Sequence, residues 1–259
     1  MQLRHQQLLD LVNNNKRIPV AELSQKLGVS EVTTRKDLSL LEKAGLLRRE
    51  HGFAVMISSD DITHHLAFNY DTKHAIAKQA AQTILNGETV MIESGACCAL
   101  LARELAATRR DITIVTNSAF IAAFIRKAPF ARVLLLGGDF QNEAQVMVGP
   151  LLKKCLVDFS IDKFFIGTDG FSLNCGFMGN NLLRAEAIRT MGERANKIMI
   201  LTESTKFTVQ GVIPQLKTAE IHSVFTDEAI PAAIKEHLEN QHCLVHLSSK
   251  QSRQKSCVK

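Results

Sequence analysis

VAELSQKLGVSEVTTRKDLSLLEKAGLLRR, residues 20–49, decides how the rest of the chain is read. Val20, Leu23 and Leu27 recur at i, i+3 and i+7, which gives a first short helix one buried stripe. Gly28 supplies the residue that takes positive φ where that helix stops. Ser30 then offers a side-chain oxygen to cap a second helix, accepting from one of its orphan N–H groups. The reciprocal capping box is incomplete, because position 33 is Thr rather than Glu or Gln. On the second helix Thr34, Leu38 and Leu41 share one face, and Gly45 is expected to end it. The opposite face carries Val32, Thr33, Lys36 and Ser39, with Arg35 on its flank. That face is small, hydrogen-bonding and basic, so it fits a major groove: Arg or Lys reaches guanine edges and methyl groups meet thymine.

Outward from this core, residues 3–14 read as a helix with Leu8, Leu9 and Val12 turned inward, ended by Asn13–Asn15. Arg17-Ile18-Pro19 leads into the helix-turn-helix. After it, residues 46–50 and 53–57 alternate around His51-Gly52 as a β-hairpin wing. Arg48, Arg49 and His51 stand on its first strand and tip, placed for backbone phosphates. Taken singly, Leu and Val stripes are ordinary core, and Arg35 with Lys36 would be an ordinary solvated face. Asp37 and Glu42 read as partners for nearby Lys or Arg.

The run GVSEVTTRKDLSLLEKAGLLRREHGFAV resembles the winged helix-turn-helix signature of DeoR-type bacterial transcriptional regulators, VSExTIRRDLxxLExxGLLxRxHGGA. Val29, Ser30, Glu31, Thr33, Arg35, Asp37, Leu38, Leu41, Glu42, Gly45, Leu46, Leu47, Arg49, His51, Gly52 and Ala54 match it. Three positions depart: Thr34 for Ile, Lys36 for Arg, and Phe53 for Gly. Thr34 falls on the buried stripe, so the lost methyl groups are expected to soften helix packing. Lys36 lacks the planar bidentate fork of Arg. The helix face, the wing and the resemblance together give the expected DNA contacts: Ser30, Glu31, Val32, Thr33, Arg35, Lys36, Ser39, Arg48, Arg49 and His51.

The 259 residues suffice for two domains, and 46% apolar with 22% charged residues is ordinary for a globular chain. A net charge of +5 favours an anionic partner only mildly. Its distribution is more informative. Residues 1–57 hold nine Lys or Arg against six acids, and Ser248–Lys259 hold four bases and no acid, leaving the centre slightly acidic. The six cysteines (97, 98, 155, 175, 243 and 257) form no CxxC pair and no zinc-finger spacing, so reduced thiols, no metal and no cofactor are expected. No signal-peptide run and no apolar stretch of roughly 18–20 residues is present, so a soluble cytoplasmic protein with no membrane partner is expected.

The expected organisation is a winged helix-turn-helix over 1–57 (helix-turn-helix about 20–44, wing about 46–57) and a linker over 58–71. An α/β effector domain over 72–247 and a basic, disordered tail over 248–259 follow. From Thr72 onward apolar strands at 89–93, 112–116, 132–136, 163–168, 198–202, 222–226 and 243–247 alternate with helices. Those helices are placed at 72–86, 98–108, 118–127, 147–156, 184–196 and 229–240. Near-continuous apolar strands between helices imply a parallel sheet covered on both faces. Its ligand pocket is expected beyond the carboxyl ends of the strands. Polar or glycine-bearing segments stand there: Glu93–Cys97, Thr116–Ser118, Gly137–Asp139, Gly167–Gly170 and Glu203–Lys206. Such a lining suits a small anionic ligand such as a phosphorylated sugar.

These segments also resemble the sensor domain of DeoR-type regulators, whose fold is similar to sugar-phosphate isomerases. The family's Lys before IAxxAA, DSGTT, TNS, GG, VG, FxGxxG and DSSKF correspond here to Lys73, ESGAC (93–97), Thr116-Asn117-Ser118, Gly137-Gly138, Val148-Gly149, residues 165–170 and ESTKF (203–207). The resemblance implies effector contacts from Lys73, Ser94, Gly95, Ala96, Cys97, Asn117, Ser118, Gly137, Gly138, Asp169, Gly170 and Lys206. Ala96 and Cys97 stand in place of two threonines and remove two hydroxyl donors. As plain chemistry, strand-end glycines are also common turn residues, and Cys97 and Cys98 read as small buried side chains rather than redox sensors.

The reading is a sequence-specific, ligand-responsive transcriptional regulator, a repressor of carbohydrate genes. It binds double-stranded operator DNA as a homo-oligomer on repeated half-sites. No catalytic residue is assigned. The rival is a sugar-phosphate isomerase or deaminase-like enzyme with a DNA-binding appendage. Asp169 lies in TDGFS, where ribose-phosphate isomerases carry DGADE, and their later KGGG loop is absent. Non-specific nucleoid binding is a third reading.

Overall fold

The computed structural model describes residues 3–43, 46–55 and 62–249. The expected helix end at Gly45, the last wing residues 56–57, the Ser58–Asp61 break and the tail from residue 250 lie outside them. The chain divides into two compact units, Met1–Tyr70 and Asp71–Lys259.

The first unit runs α1 (Leu3–Asn15), β1 (Arg17–Pro19), α2 (Val20–Leu27), α3 (Glu31–Lys43), β2 (Arg48–Glu50), β3 (Phe53–Val55) and α4 (Ile62–Ala67). Gly28 takes φ 65° and its N–H bonds Gln25 O, so α2 stops where expected. Ser30 Oγ accepts the Thr33 N–H at 3.2 Å and caps α3. Leu8, Leu9, Val12, Ile18, Val20, Leu23, Leu38, Leu41, Leu47 and Ala54 form one buried core. The wing hairpin pairs Glu50 with Phe53 around His51 (φ 35°) and Gly52 (φ 85°), as a two-residue loop demands.

Two expectations need correction here. Arg17–Pro19 is a strand that pairs antiparallel with β3, giving a three-stranded sheet ordered β1-β3-β2. Three residues are too few to show periodicity in sequence. Thr34, expected to loosen the buried stripe, is fully buried and satisfied. It donates to Ser30 O at 3.2 Å, and its Oγ1 lies 3.0 Å from the buried Ser24 hydroxyl of α2. A hydroxyl pair across the α2–α3 contact thus stands where methyl groups would otherwise pack.

The second unit begins within α5 (Tyr70–Ala81) and continues β4 (Thr89–Ile92), α6 (Ala96–Thr108), β5 (Ile112–Thr116), α7 (Ala119–Phe124), β6 (Ala131–Leu135), β7 (Asp139–Gln141) and β8 (Val146–Val148). Then follow α8 (Pro150–Cys155), β9 (Ile161–Ile166), β10 (Gly170–Ser172), β11 (Gly176–Gly179), α9 (Leu182–Gly192) and β12 (Ala195–Leu201). A 3₁₀ turn (Ser204–Thr208), β13 (Ile213–Leu216), β14 (Ile221–Asp227), α10 (Ala232–Asn240) and β15 (Leu244–Ser248) complete it. Seven strands form one parallel sheet ordered β15-β14-β12-β9-β4-β5-β6. All seven are the apolar runs expected from sequence. Phe164, Phe165, Ile166, Val90, Met91 and Ile92 are completely buried, as central parallel strands require.

The small antiparallel pieces, β7–β8 and β10-β11-β13, are not foreseen from sequence, being strands of only three or four residues. They also move helix boundaries. The helix expected at 147–156 starts only at Pro150, because Val146–Val148 pairs with β7 and Gly149 turns at φ 86°. The helix expected at 184–196 ends at Gly192, and Ala195 already belongs to β12. Among the described residues no helix is long and apolar enough to cross a membrane.

Gly138 sits where the hairpin closes on the sheet. A Cβ there would lie 2.5 Å from Val148 O and 3.1 Å from Met147 Cβ. Gly138→Ala is therefore expected to lower the stability of the second unit by about 1–3 kcal/mol through overpacking. The urea midpoint of its unfolding transition measures this.

Candidate functional site

The outer face of α3 is built by what its inner face must bury. Asp37, 5% exposed, accepts from Arg4 Nε at 2.6 Å and lies 3.1 Å from His5 Nε2, both on α1. The Arg4 guanidinium, then His5, hold its carboxyl below the usual carboxylate range against the opposing effect of burial. This clamp, with Leu38 and Leu41, fixes the rotation of α3 and leaves Val32 (62% exposed), Arg35, Lys36 and Leu40 (58% exposed) outside. Thr33 and Ser39 are half-buried on the same side.

Several cations of this surface are already engaged. Arg35 pairs with Glu31 at 2.6 Å, and Arg48 with Glu50 at 2.6 Å. Arg49 gives its backbone N–H to Glu42 at 2.9 Å, and its guanidinium reaches Ser39 Oγ. Glu42 thus pairs with a nearby basic residue as expected, whereas Asp37 takes its partners from α1 rather than from its sequence neighbours. Exposed pairs of this kind contribute little stability and exchange readily for a stronger anion. His51 is exposed at the hairpin tip.

The second site grows from the carboxyl ends of the central strands. After β4, Glu93 is buried at 5% exposure and accepts from Ser94 Oγ at 2.6 Å. Gly95 takes φ 109° before α6, caps it with no side chain, and has open space where a Cβ would stand. Ala96 and Cys97 occupy the first turn, whose N–H groups have no carbonyl one turn back to bond. From the loop after β12, Glu203 meets Lys73 of α5 at 3.2 Å, both nearly buried. Ser204 donates through N–H and hydroxyl to Asp227 at the end of β14, each at 2.8 Å.

Electrostatics ties these pieces together. Burial pushes the Glu93 carboxyl up to about 7, opposed by Ser94 and Arg184 and reinforced by Asp169. Burial pushes the Cys97 thiol up to about 12, with Lys73, Glu203, Lys206 and Asp227 all acting on it. Cys98 is raised as well, so neither thiol is a ready nucleophile and both fit the small-buried-side-chain reading. Lys73, Ser94, Gly95, Ala96, Cys97, Asp169 and Lys206 therefore gather around the ends of β4, β9 and β12.

The expected residues also make local contacts. Ser118 caps α7 by accepting the Ile121 N–H at 3.2 Å. Gly137 packs against Leu151 and Cys155, and Gly138 against β8. Gly170 has room for no side chain, with Val209 O at 2.5 Å from a Cβ. Asn117 donates to Met147 O at 3.0 Å, while its buried Oδ1 has no hydrogen-bond partner among the described residues. Asp169 accepts the Asn180 N–H at 3.2 Å. Four charged residues of this region are not among the expected effector contacts: Glu93 and Glu203, which open two of the strand-end segments, and Arg184 and Asp227. The strand-end rule covers all but Arg184, which lies in the first turn of α9.

The comparisons cover both units. A family model for the DeoR-like helix-turn-helix domain matches residues 4–60, and one for the DeoR C terminal sensor domain matches residues 68–228. The HTH-type transcriptional regulator GolR of Listeria innocua is 29% identical over 89% of this chain and 92% of that protein. The putative aga operon transcriptional repressor of Escherichia coli O157:H7 is 30% identical over 88% of this chain and 87% of that protein. The glycerol-3-phosphate regulon repressor of Escherichia coli K12 is 24% identical over 94% of this chain and 98% of that protein.

Glu93 supplies a pH test. In the unfolded chain it loses its proton near 4.5, whereas the folded chain keeps it until about 7. Stability should therefore fall as pH rises from about 4.5 to about 7 and level off above, by roughly 3 kcal/mol from this group. Glu93→Gln is expected to flatten that slope in denaturant titrations repeated across the window.

Proposed function

Since the chain belongs to the DeoR family of transcriptional regulators, we propose that it is a cytoplasmic repressor of carbohydrate genes whose operator affinity is set by a phosphorylated sugar or related small anion. The observation that carries the DNA half is the face of α3. Its buried side is clamped through Asp37, and its solvent side presents Val32, Thr33, Arg35, Lys36 and Ser39 in one row. Ser30 and Glu31 open that helix, and Arg48, Arg49 and His51 lie on the adjoining wing. One small reader makes few base contacts, so a homo-oligomer on repeated half-sites fits this reading.

The effector half rests on the uncapped first turn of α6 beside Lys73 and Lys206 at the carboxyl edge of the sheet. The glycerol-3-phosphate regulon repressor, similar along nearly its whole length, supports a phosphorylated ligand. Ala96 and Cys97 offer no hydroxyl, so backbone N–H groups and the two lysines carry the anion. The ligand acts only through unequal affinity for DNA-competent and incompetent states.

On a duplex from the region upstream of its own gene, Arg35→Ala or Lys36→Ala should cost about 1–3 kcal/mol at one base position and little on random DNA. Arg48→Ala should weaken both duplexes alike. Equal losses from both sets on both duplexes would refute the division. In a thermal-shift screen of sugar phosphates, a hit should raise Tm in the parent chain and fail to do so in Lys206→Ala. A hit that shifts both equally binds elsewhere.

A further inference from the structure

The register of the small sheet sorts the cations of the first unit by face. Arg17, Val55 and Arg48 are partners across β1, β3 and β2, as are Pro19, Phe53 and Glu50. The row between them is Ile18, Ala54 and Arg49, and Ile18 and Ala54 are buried at 1% and 0% exposure. Successive residues alternate faces, so this middle row faces the helices, consistent with Arg49 holding Ser39 and Glu42 of α3. The outer rows hold Arg17 and Arg48. Arg48 is paired with Glu50. Arg17 is exposed, and among the described residues no acid pairs with it.

What holds Arg17 is a ring. Its guanidinium carbon lies 3.7 Å from the centroid of Phe53, the residue that departs from the Gly of the family signature. A cation over an aromatic face is attracted by the ring's quadrupole, and the contact restricts a long side chain that would otherwise sample many rotamers. The ring satisfies none of the five guanidinium N–H donors by a conventional hydrogen bond. Arg17 is therefore a pre-ordered fork of donors with an unneutralised charge, on the outward face of the wing sheet.

We infer that Arg17, held on Phe53, is a contact to the DNA phosphodiester backbone, with Phe53 as its positioning residue. The inference rests on the DNA-binding reading above. Arg35 and Arg48 give up an ion pair to meet a phosphate, and Arg17 gives up none. A single phosphate oxygen or a bidentate pair suits its geometry. The contact carries no sequence information.

The test uses the full chain and a random-sequence duplex of about 30 base pairs, titrated by fluorescence anisotropy over a salt series. Arg17→Ala should weaken binding and reduce the slope of log K against log salt by about 0.9, the value for one lost phosphate contact on duplex DNA. Arg17→Lys should keep the slope. Phe53→Leu should keep the slope and lower affinity about twofold to fivefold, since the charge remains but its ordering is lost. Unchanged slope and affinity in Arg17→Ala overturns the inference. If Phe53→Leu disturbs the wing, seen as a changed melting curve, Arg17→Ala decides alone because its side chain is exposed. A parent chain that fails to bind the duplex even at low salt overturns the DNA reading itself, an outcome distinct from a silent Arg17→Ala.

Discussion

Asp37 is a carboxylate almost out of reach of water, and a charge in that position must be paired. The pairing comes from α1, through Arg4 and His5, more than thirty residues away in sequence. It locks the first and third helices together and settles which side of α3 is inside. Leu38 and Leu41 follow Asp37 inward, and Lys36 and Ser39 are left facing out. The orientation of the proposed reading surface thus follows from an ion pair buried on its Asp37 side, and the exposed charges on that surface contribute little to holding it there.

The second unit uses a similar arrangement to a different end. Lys73 and Glu203 are nearly buried and meet at 3.2 Å, joining α5 to the loop after β12. Removing one partner of a pair with so little solvent is strongly destabilising, because it leaves an uncompensated buried charge. Both charges act on the buried Cys97 thiol in the uncapped first turn of α6. On the proposed reading, a ligand arriving there meets groups already oriented toward one another.

Much of this was legible in sequence, and the limits have physical causes. The seven parallel strands show themselves because burial on both faces demands continuous apolar runs, as in KFFIGT and IMILT. Gly28 and Ser30 are legible because turn and cap chemistry is local. Arg17–Pro19 and the strands around Gly170 and Gly176 are not, since a three-residue strand has no period to read. The Asp37 and Lys73 pairings are also invisible, because partners far apart in sequence leave no local mark. Thr34 misleads for a related reason: its hydroxyl is satisfied by Ser24, ten residues earlier on another helix. At the candidate site the strand-end rule points to the loops after β4, β9 and β12. It does not tell a glycine with open space beside it, such as Gly95, from one closed in by backbone, such as Gly170.

The central claim is that the solvent side of α3 reads bases. In vitro selection with the full chain from a pool of randomised duplexes tests it most directly. The account predicts convergence on a repeated half-site with two-fold symmetry, read at few base pairs per copy. A pool that stays random after repeated rounds, while still binding at low salt, would contradict it.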